Sequence, residues 1–79
     1  KDNLQQLLID FFDLPEGTLP EQLTQKGIAT WDSLAMVQLI AELQGTFNVE
    51  FDLDEIESLR SYEEIRGSLA RKGISLSAG

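Results

Sequence analysis

Apolar residues recur at helical intervals in three stretches of the chain. Leu4, Leu7, Leu8, Phe11 and Phe12 follow the i, i+3, i+4, i+7, i+8 spacing of a helix stripe that faces a core. Asp2 or Asn3 is suited to cap that helix. Leu14-Pro15-Glu16-Gly17 is suited to end it, because proline disfavours helical backbone in the residue before it. A long connection then runs to about Trp31. Within it, Thr18 and Glu21 stand at capping-box spacing ahead of a short turn through Leu23, which Gly27 is placed to stop. A second helix is predicted from Ser33 to Thr46 or Phe47. Its core stripe is Met36, Leu39, Ile40, Leu43 and Phe47, covering about 100° of the helical wheel.

The stretch from Asn48 to Leu53 alternates polar and apolar residues, as a half-buried strand would. An isolated strand has no partner in this chain, so the stretch reads as a loop leading to a short helix at about Asp54–Leu59. Ser61 and Glu64 have the spacing of a capping box and open a last helix, 61–72, whose Tyr62, Ile65 and Leu69 share a face. Gly73 ends that helix, and Ser75 to Gly79 reads as a frayed tail. The expected fold is all-α: a bundle of three main helices plus one short helix, with a long first loop, residues 1–79 forming a single domain.

Composition narrows the chemistry. The 79 residues include no cysteine and no histidine, which removes disulfides, thiolate nucleophiles, Ser-His and Cys-His pairs and the usual zinc sites. A stand-alone enzyme is disfavoured. The net charge of −8 repels phosphate backbones, so no nucleic acid partner is expected. No apolar run approaches the roughly 20 residues of a membrane span, so no stable membrane insertion is expected either. The chain opens on Lys1 rather than Met, which is compatible with a trimmed, processed or excised segment. A monomer in a reducing, cytoplasmic setting is the default expectation. The charge is unevenly placed: Glu50, Asp52, Asp54, Glu55 and Glu57 fall within residues 48–59 with no base among them, while residues 60–79 sum to +2. Such a run is ordinarily a solvated face, and here it also offers a handle to a basic partner.

Candidate chemistry centres on Trp31-Asp32-Ser33-Leu34. At its plainest, Asp32 is a helix N-cap and Ser33 a polar first-turn residue. A helix start also offers free N–H groups and the positive end of the dipole, so a phosphate ester on Ser33 would be stabilised there. Ser33 cannot activate itself, because no histidine exists to deprotonate it. If it is modified, a separate enzyme does so. On the wheel, Leu34, Val37 and Ala41 fall away from the core stripe on the side of Ser33, forming an apolar outer patch suited to docking unless the 14–32 connection covers it. Asn48, Glu50, Asp52 and Asp54 at alternate positions suggest a calcium loop only weakly, since Leu53 or Glu57 stands where that loop needs glycine. Trp31 reads as a partly buried anchor, and Met36 as core filler.

With Asp32-Ser33-Leu34 heading an amphipathic helix, and Val37, Leu39, Leu43, Phe47, Val49 and Glu50 following it, the chain resembles the acyl carrier protein family over nearly its whole length. The resemblance implies that a phosphopantetheinyl transferase attaches 4′-phosphopantetheine to Ser33, beside Asp32, and that the arm's thiol holds acyl groups as thioesters. It implies that acyl-loading and acyl-accepting synthase enzymes dock on Leu34, Val37 and Ala41 and read Glu50 and Asp54. The chain departs from fatty acid synthesis carriers at Thr30 and Trp31, and at Gln38, Gln44 and Gly45, positions often acidic there. That departure points to a specialised pathway of polyketide, lipid or aminoacyl type. The stretch Val37-Gln38-Leu39 through Glu42-Leu43-Gln44 is also similar to D-alanyl carrier proteins. Two other readings belong to different classes: an unmodified helical adaptor that docks through the second helix, and an acidic calcium-binding domain.

Overall fold

Four oxygen-bearing side chains set where the helices begin. Asp2 accepts from the Gln5 N–H at 2.6 Å, Asp32 from Ala35 at 2.9 Å, Asp52 from Glu55 at 2.9 Å and Ser61 from Glu64 at 3.2 Å. Each satisfies one N–H that the first helical turn leaves without an acceptor. In this computed structural model, which describes residues 2–76, the helices are α1 (Asn3–Phe12), α2 (Ser33–Phe47), α3 (Leu53–Ser58) and α4 (Tyr62–Arg71), with a 3-10 turn at Pro20–Gln22. Among the described residues there are no strands. The fold is an all-α bundle of the kind the sequence predicts.

The helix ends refine those expectations. α1 stops at Phe12, ahead of Leu14 and Pro15, because Asp13 turns left-handed (φ 54°) and the Leu14 N–H closes back on the Ile9 carbonyl at 2.9 Å. α2 ends the same way at Asn48 (φ 55°), and α4 at Gly73 (φ 82°), whose following residue, Ile74, donates to the Leu69 carbonyl at 3.0 Å. Asp and Asn are the side chains that tolerate this backbone after glycine. α3 begins at Leu53 rather than Asp54, because the reciprocal capping box lies at Asp52 and Glu55. At Ser61 the hydroxyl half of the expected box is present.

The connection between α1 and α2 also departs from its expected caps. Thr18 turns its hydroxyl back to the Pro15 carbonyl at 2.7 Å, and the 3-10 turn is closed by Gln22, whose side-chain oxygen accepts from the Leu19 N–H at 2.8 Å. The turn is over by Leu23. Gly27 serves a different end: a Cβ there would lie 3.0 Å from the Thr24 hydroxyl and 3.3 Å from the Gln22 carbonyl. Two backbone hydrogen bonds, Tyr62 N–H to Leu23 O and Gln25 N–H to Arg60 O, both 2.8 Å, hold this connection against the start of α4.

The core gathers Leu4 and Leu8 of α1, Leu23, Ile28 and Trp31 of the connection, Leu39, Ile40 and Leu43 of α2, then Phe51, Leu59, Tyr62, Ile65 and Leu69. Leu7, Phe11, Phe12, Met36 and Phe47, expected as full members of their stripes, are only half-buried. Gln5 and Ile9 are buried on α1 instead; the Gln5 amide donates to the Thr18 carbonyl at 3.0 Å. Leu76, expected in a frayed tail, packs partly on the core with Ile74, and residues 77–79 of that tail lie outside the described residues.

Two polar links tie the helices together. The buried Tyr62 hydroxyl donates to the Asp2 carboxylate, and burial first, then Asp2, pushes the phenol up to about 12. Glu55 accepts from Lys72 Nζ at 2.9 Å and from the buried Ser68 hydroxyl at 3.0 Å, and Lys72 also stands 5.1 Å above the Phe51 ring. The Lys72 hydrogen bond is the main reason the Glu55 carboxyl falls from 4.5 to about 2. A carboxyl whose folded pKa is depressed stabilises the fold above its unfolded pKa and loses that contribution as pH falls through the folded one. The melting temperature of the wild type should therefore exceed that of Glu55→Gln most at neutral pH. The gap should close as pH is lowered from about 4.5 toward about 2, as thermal unfolding followed by circular dichroism would record.

Candidate functional site

Trp31 fixes the approach to α2. It is 2% exposed, a fully buried anchor rather than the partly buried one its sequence suggests. Its ring stacks on Phe12 at 5.1 Å and its indole N–H donates to Met36 Sδ at 3.1 Å. With the tryptophan locked inward, the chain emerges at Asp32, whose carboxylate caps Ala35 and whose carbonyl accepts from Met36 at 2.9 Å. Ser33, the first residue of α2, is exposed. Among the described residues its hydroxyl makes no hydrogen bond, and the N–H groups of Ser33 and Leu34 have no acceptor inside the helix. The first turn of α2 carries no acidic side chain, so the positive end of its dipole is opposed only by Asp32.

Leu34 is 70% exposed and Val37 69%, and Ala41 is exposed beside them. The 14–32 connection does not cover this face. A fourth apolar residue joins it: Leu53, at 74% exposure the most open large hydrophobic side chain described, stands at the first position of α3. In the sequence it reads only as the last apolar member of the 48–53 alternation. Its one signal is that Asp52 caps a helix, which turns the following side chain away from the bundle.

Between α2 and α3 runs an open groove of about 720 Å³, with Ser33 in its lining. Met36, Val37, Ile40, Leu53, Ile56 and Leu59 make it apolar, and Gln25, Glu57 and Arg60 supply its polar groups. Met36, read from the sequence as core filler, thus lines the groove as well. Sequence reasoning missed Arg60 in this position, because it reaches the groove through the backbone pairing with Gln25 and not through any local pattern. Glu50 and Asp54 are exposed and lie outside the groove lining, Glu50 in the loop after α2 and Asp54 in the first turn of α3. The acidic stretch does not gather into a metal cage: Asp52 is spent as an N-cap and Glu55 on Lys72. Among the described residues no group of three or more acidic side chains is arranged to hold a metal ion, and no helix is long and apolar enough to cross a membrane.

Asp32 carries the geometry of this helix start, which gives a direct test. Asp32→Ala should destabilise the protein by about 1 kcal/mol in urea unfolding, and Asp32→Asn by clearly less, because asparagine caps nearly as well.

These features fit a phosphopantetheine site: an unhindered hydroxyl, free N–H donors beside it and an apolar groove leading away. Residues 31–69, from Trp31 to Leu69 of α4, match the family described as "Phosphopantetheine attachment site". No curated protein and no solved structure matched the chain significantly. With that match resting on the helix start, the groove and α4 together, the chain belongs to the acyl carrier protein family, whose domains bear covalent 4′-phosphopantetheine and are not themselves catalysts.

Proposed function

We propose that Ser33 is the attachment residue and that residues 1–79 act as a single carrier domain, shuttling acyl groups between the enzymes of a specialised pathway in the cytoplasm. The observation that carries this reading is the exposed, unpaired Ser33 hydroxyl at the start of α2 and in the lining of an apolar groove, inside the matched segment. Asp32 holds the helix start open by capping Ala35, so the hydroxyl stands clear of the backbone. In the loading step the Ser33 Oγ–P bond forms and the phosphoanhydride bond of coenzyme A breaks. Adenosine 3′,5′-bisphosphate leaves, and the hydroxyl proton passes to a base on the transferase, since this chain has no histidine to take it. When bound, the arm supplies the thiol on which acyl groups are carried; the chain supplies address and shelter.

Leu34, Val37 and Ala41 are the proposed docking surface, with Glu50 and Asp54 as charged markers for basic partner surfaces. The partners are a phosphopantetheinyl transferase and acyl-loading and acyl-accepting synthases. Beyond Asp32, α2 bears Glu42 as its sole carboxylate, with Gln38, Gln44 and Gly45 where fatty acid carriers are often acidic. That weights recognition toward apolar contact and supports a polyketide, lipid or aminoacyl pathway over housekeeping fatty acid synthesis. The exposure of Leu34 and Val37 also suits an unmodified adaptor, and one experiment separates the two. Incubation with coenzyme A and a broad-specificity transferase should add one phosphopantetheine mass to the wild type and none to Ser33→Ala. An unmodified wild type, or equal gain by Ser33→Ala, would overturn the assignment. Val37→Asp should slow the gain about tenfold, the size of one lost apolar anchor, while moving the urea midpoint little, because Val37 is exposed.

A further inference from the structure

The groove beside Ser33 is lined by a cation, Arg60, that makes no ion pair among the described residues. Arg60 closes the link between α3 and α4, and three hydrogen bonds fix it. Its carbonyl accepts from Gln25 N–H at 2.8 Å, its own N–H donates to Ser58 O at 3.0 Å, and Nε–H donates to Glu57 O at 3.2 Å. Two other basic side chains are paired with carboxylates, Lys72 with Glu55 and Arg66 with Glu63. Arg60, exposed and in the groove lining, makes no ion pair among the described residues, so its terminal guanidinium nitrogens are without a carboxylate partner.

That arrangement answers an electrostatic problem set by the acidity of the chain. A phosphodiester on Ser33 adds a negative charge to a protein already at −8, next to Asp32 and on a groove that also holds Glu57. Two first-turn N–H groups and the helix dipole offset part of that charge. A guanidinium presents two parallel donors that match two phosphate oxygens, and one already held at Nε loses little side-chain freedom on binding them.

We propose that Arg60 is a positioning residue that pairs with the phosphodiester of the arm on Ser33, holding the start of the arm against the groove between α2 and α3. The inference rests on the assignment of Ser33, and the two can fail separately. Holo protein, confirmed by mass, is compared with apo protein for the wild type, Arg60→Gln and Arg60→Lys. In the wild type, loading should shift the Arg60 Nε–Hε resonance while leaving those of Arg66 and Arg71 in place. The ³¹P resonance of holo Arg60→Gln should lose the displacement and slowed local motion seen in the wild type, with Arg60→Lys in between. Raising salt to about 1 M, where the screening length is about 3 Å, should bring the wild type toward Arg60→Gln. A wild type that gains no mass defeats the Ser33 assignment and this inference with it. A wild type that loads fully, yet shows no Arg60 shift on loading and no salt response at phosphorus, overturns the role of Arg60 alone, whether or not the variants fold.

Discussion

The two backbone hydrogen bonds between Leu23–Gln25 and Arg60–Tyr62 hold this fold in register. They join the long connection to the α3–α4 link across more than thirty residues of chain. Closing a loop of that length costs entropy that grows only slowly with length, so two well-made bonds plus the burial of Leu23 and Leu59 can offset it. Once Leu23 is held, the connection has nowhere to run but over the bundle, and Ile28 and Trp31 enter the core. Trp31 then decides where α2 can begin. Lift this bridge and Asp32 loses its fixed origin, Ser33 its presentation and Arg60 its place in the groove.

The polar interior divides labour among the helices. Gln5 ties α1 to the connection, Tyr62 ties α4 to the α1 cap at Asp2, and Glu55 with Ser68 and Lys72 ties α3 to α4. Among the described residues no buried side-chain polar atom is left without a partner. α2 is the exception to this web. Its cross-links are made near its ends, from Trp31 to Met36 and from the Phe51 N–H to Gln44, while its middle is held by Leu39, Ile40 and Leu43 alone. The rest of its surface is therefore free of structural duty. A helix that must meet several partners in turn is best anchored this way, since the outer face can change without disturbing the fold.

The residues of α2 were the most legible part of the sequence. A capping aspartate, a stripe at helical spacing and an apolar outer face are all local signals, and they placed Ser33, Leu34, Val37 and Ala41 correctly outside the core. What stayed illegible was non-local. The polar Gln5 is buried because the connection happens to offer it the Thr18 carbonyl, which no periodicity encodes. Thr18 and Glu21 have the spacing of a cap, yet the Pro15 carbonyl takes both the Thr18 N–H and its hydroxyl, and the capping contact forms one residue later, from the Leu19 N–H to the Gln22 side chain. Leu53 belongs to an alternating run and proves exposed because a capping box, not a strand, governs that stretch. Arg60 follows five carboxylates in the chain and looks like charge balance; only the bridge to Gln25 brings it to the groove.

The acidic stretch itself changes meaning in three dimensions. Of its five carboxylates, Asp52 is committed to the α3 N-cap and Glu55 to Lys72 and Ser68, so both are structural. Glu50, Asp54 and Glu57 remain exposed and uncommitted to the fold. A basic surface approaching this side of the protein therefore meets three uncommitted carboxylates rather than a uniform field of five, of which Glu57 lines the same groove as Val37 and Leu53. Exposed charges act over roughly the screening length of about 8 Å in physiological salt, so these three can orient an encounter but contribute little once contact is made. The energy of a close complex must come from the apolar side chains between them. If this face is the docking surface proposed above, specificity for one partner over another turns on the placement of the exposed Leu34, Val37, Ala41 and Leu53, a feature that net charge alone could never report.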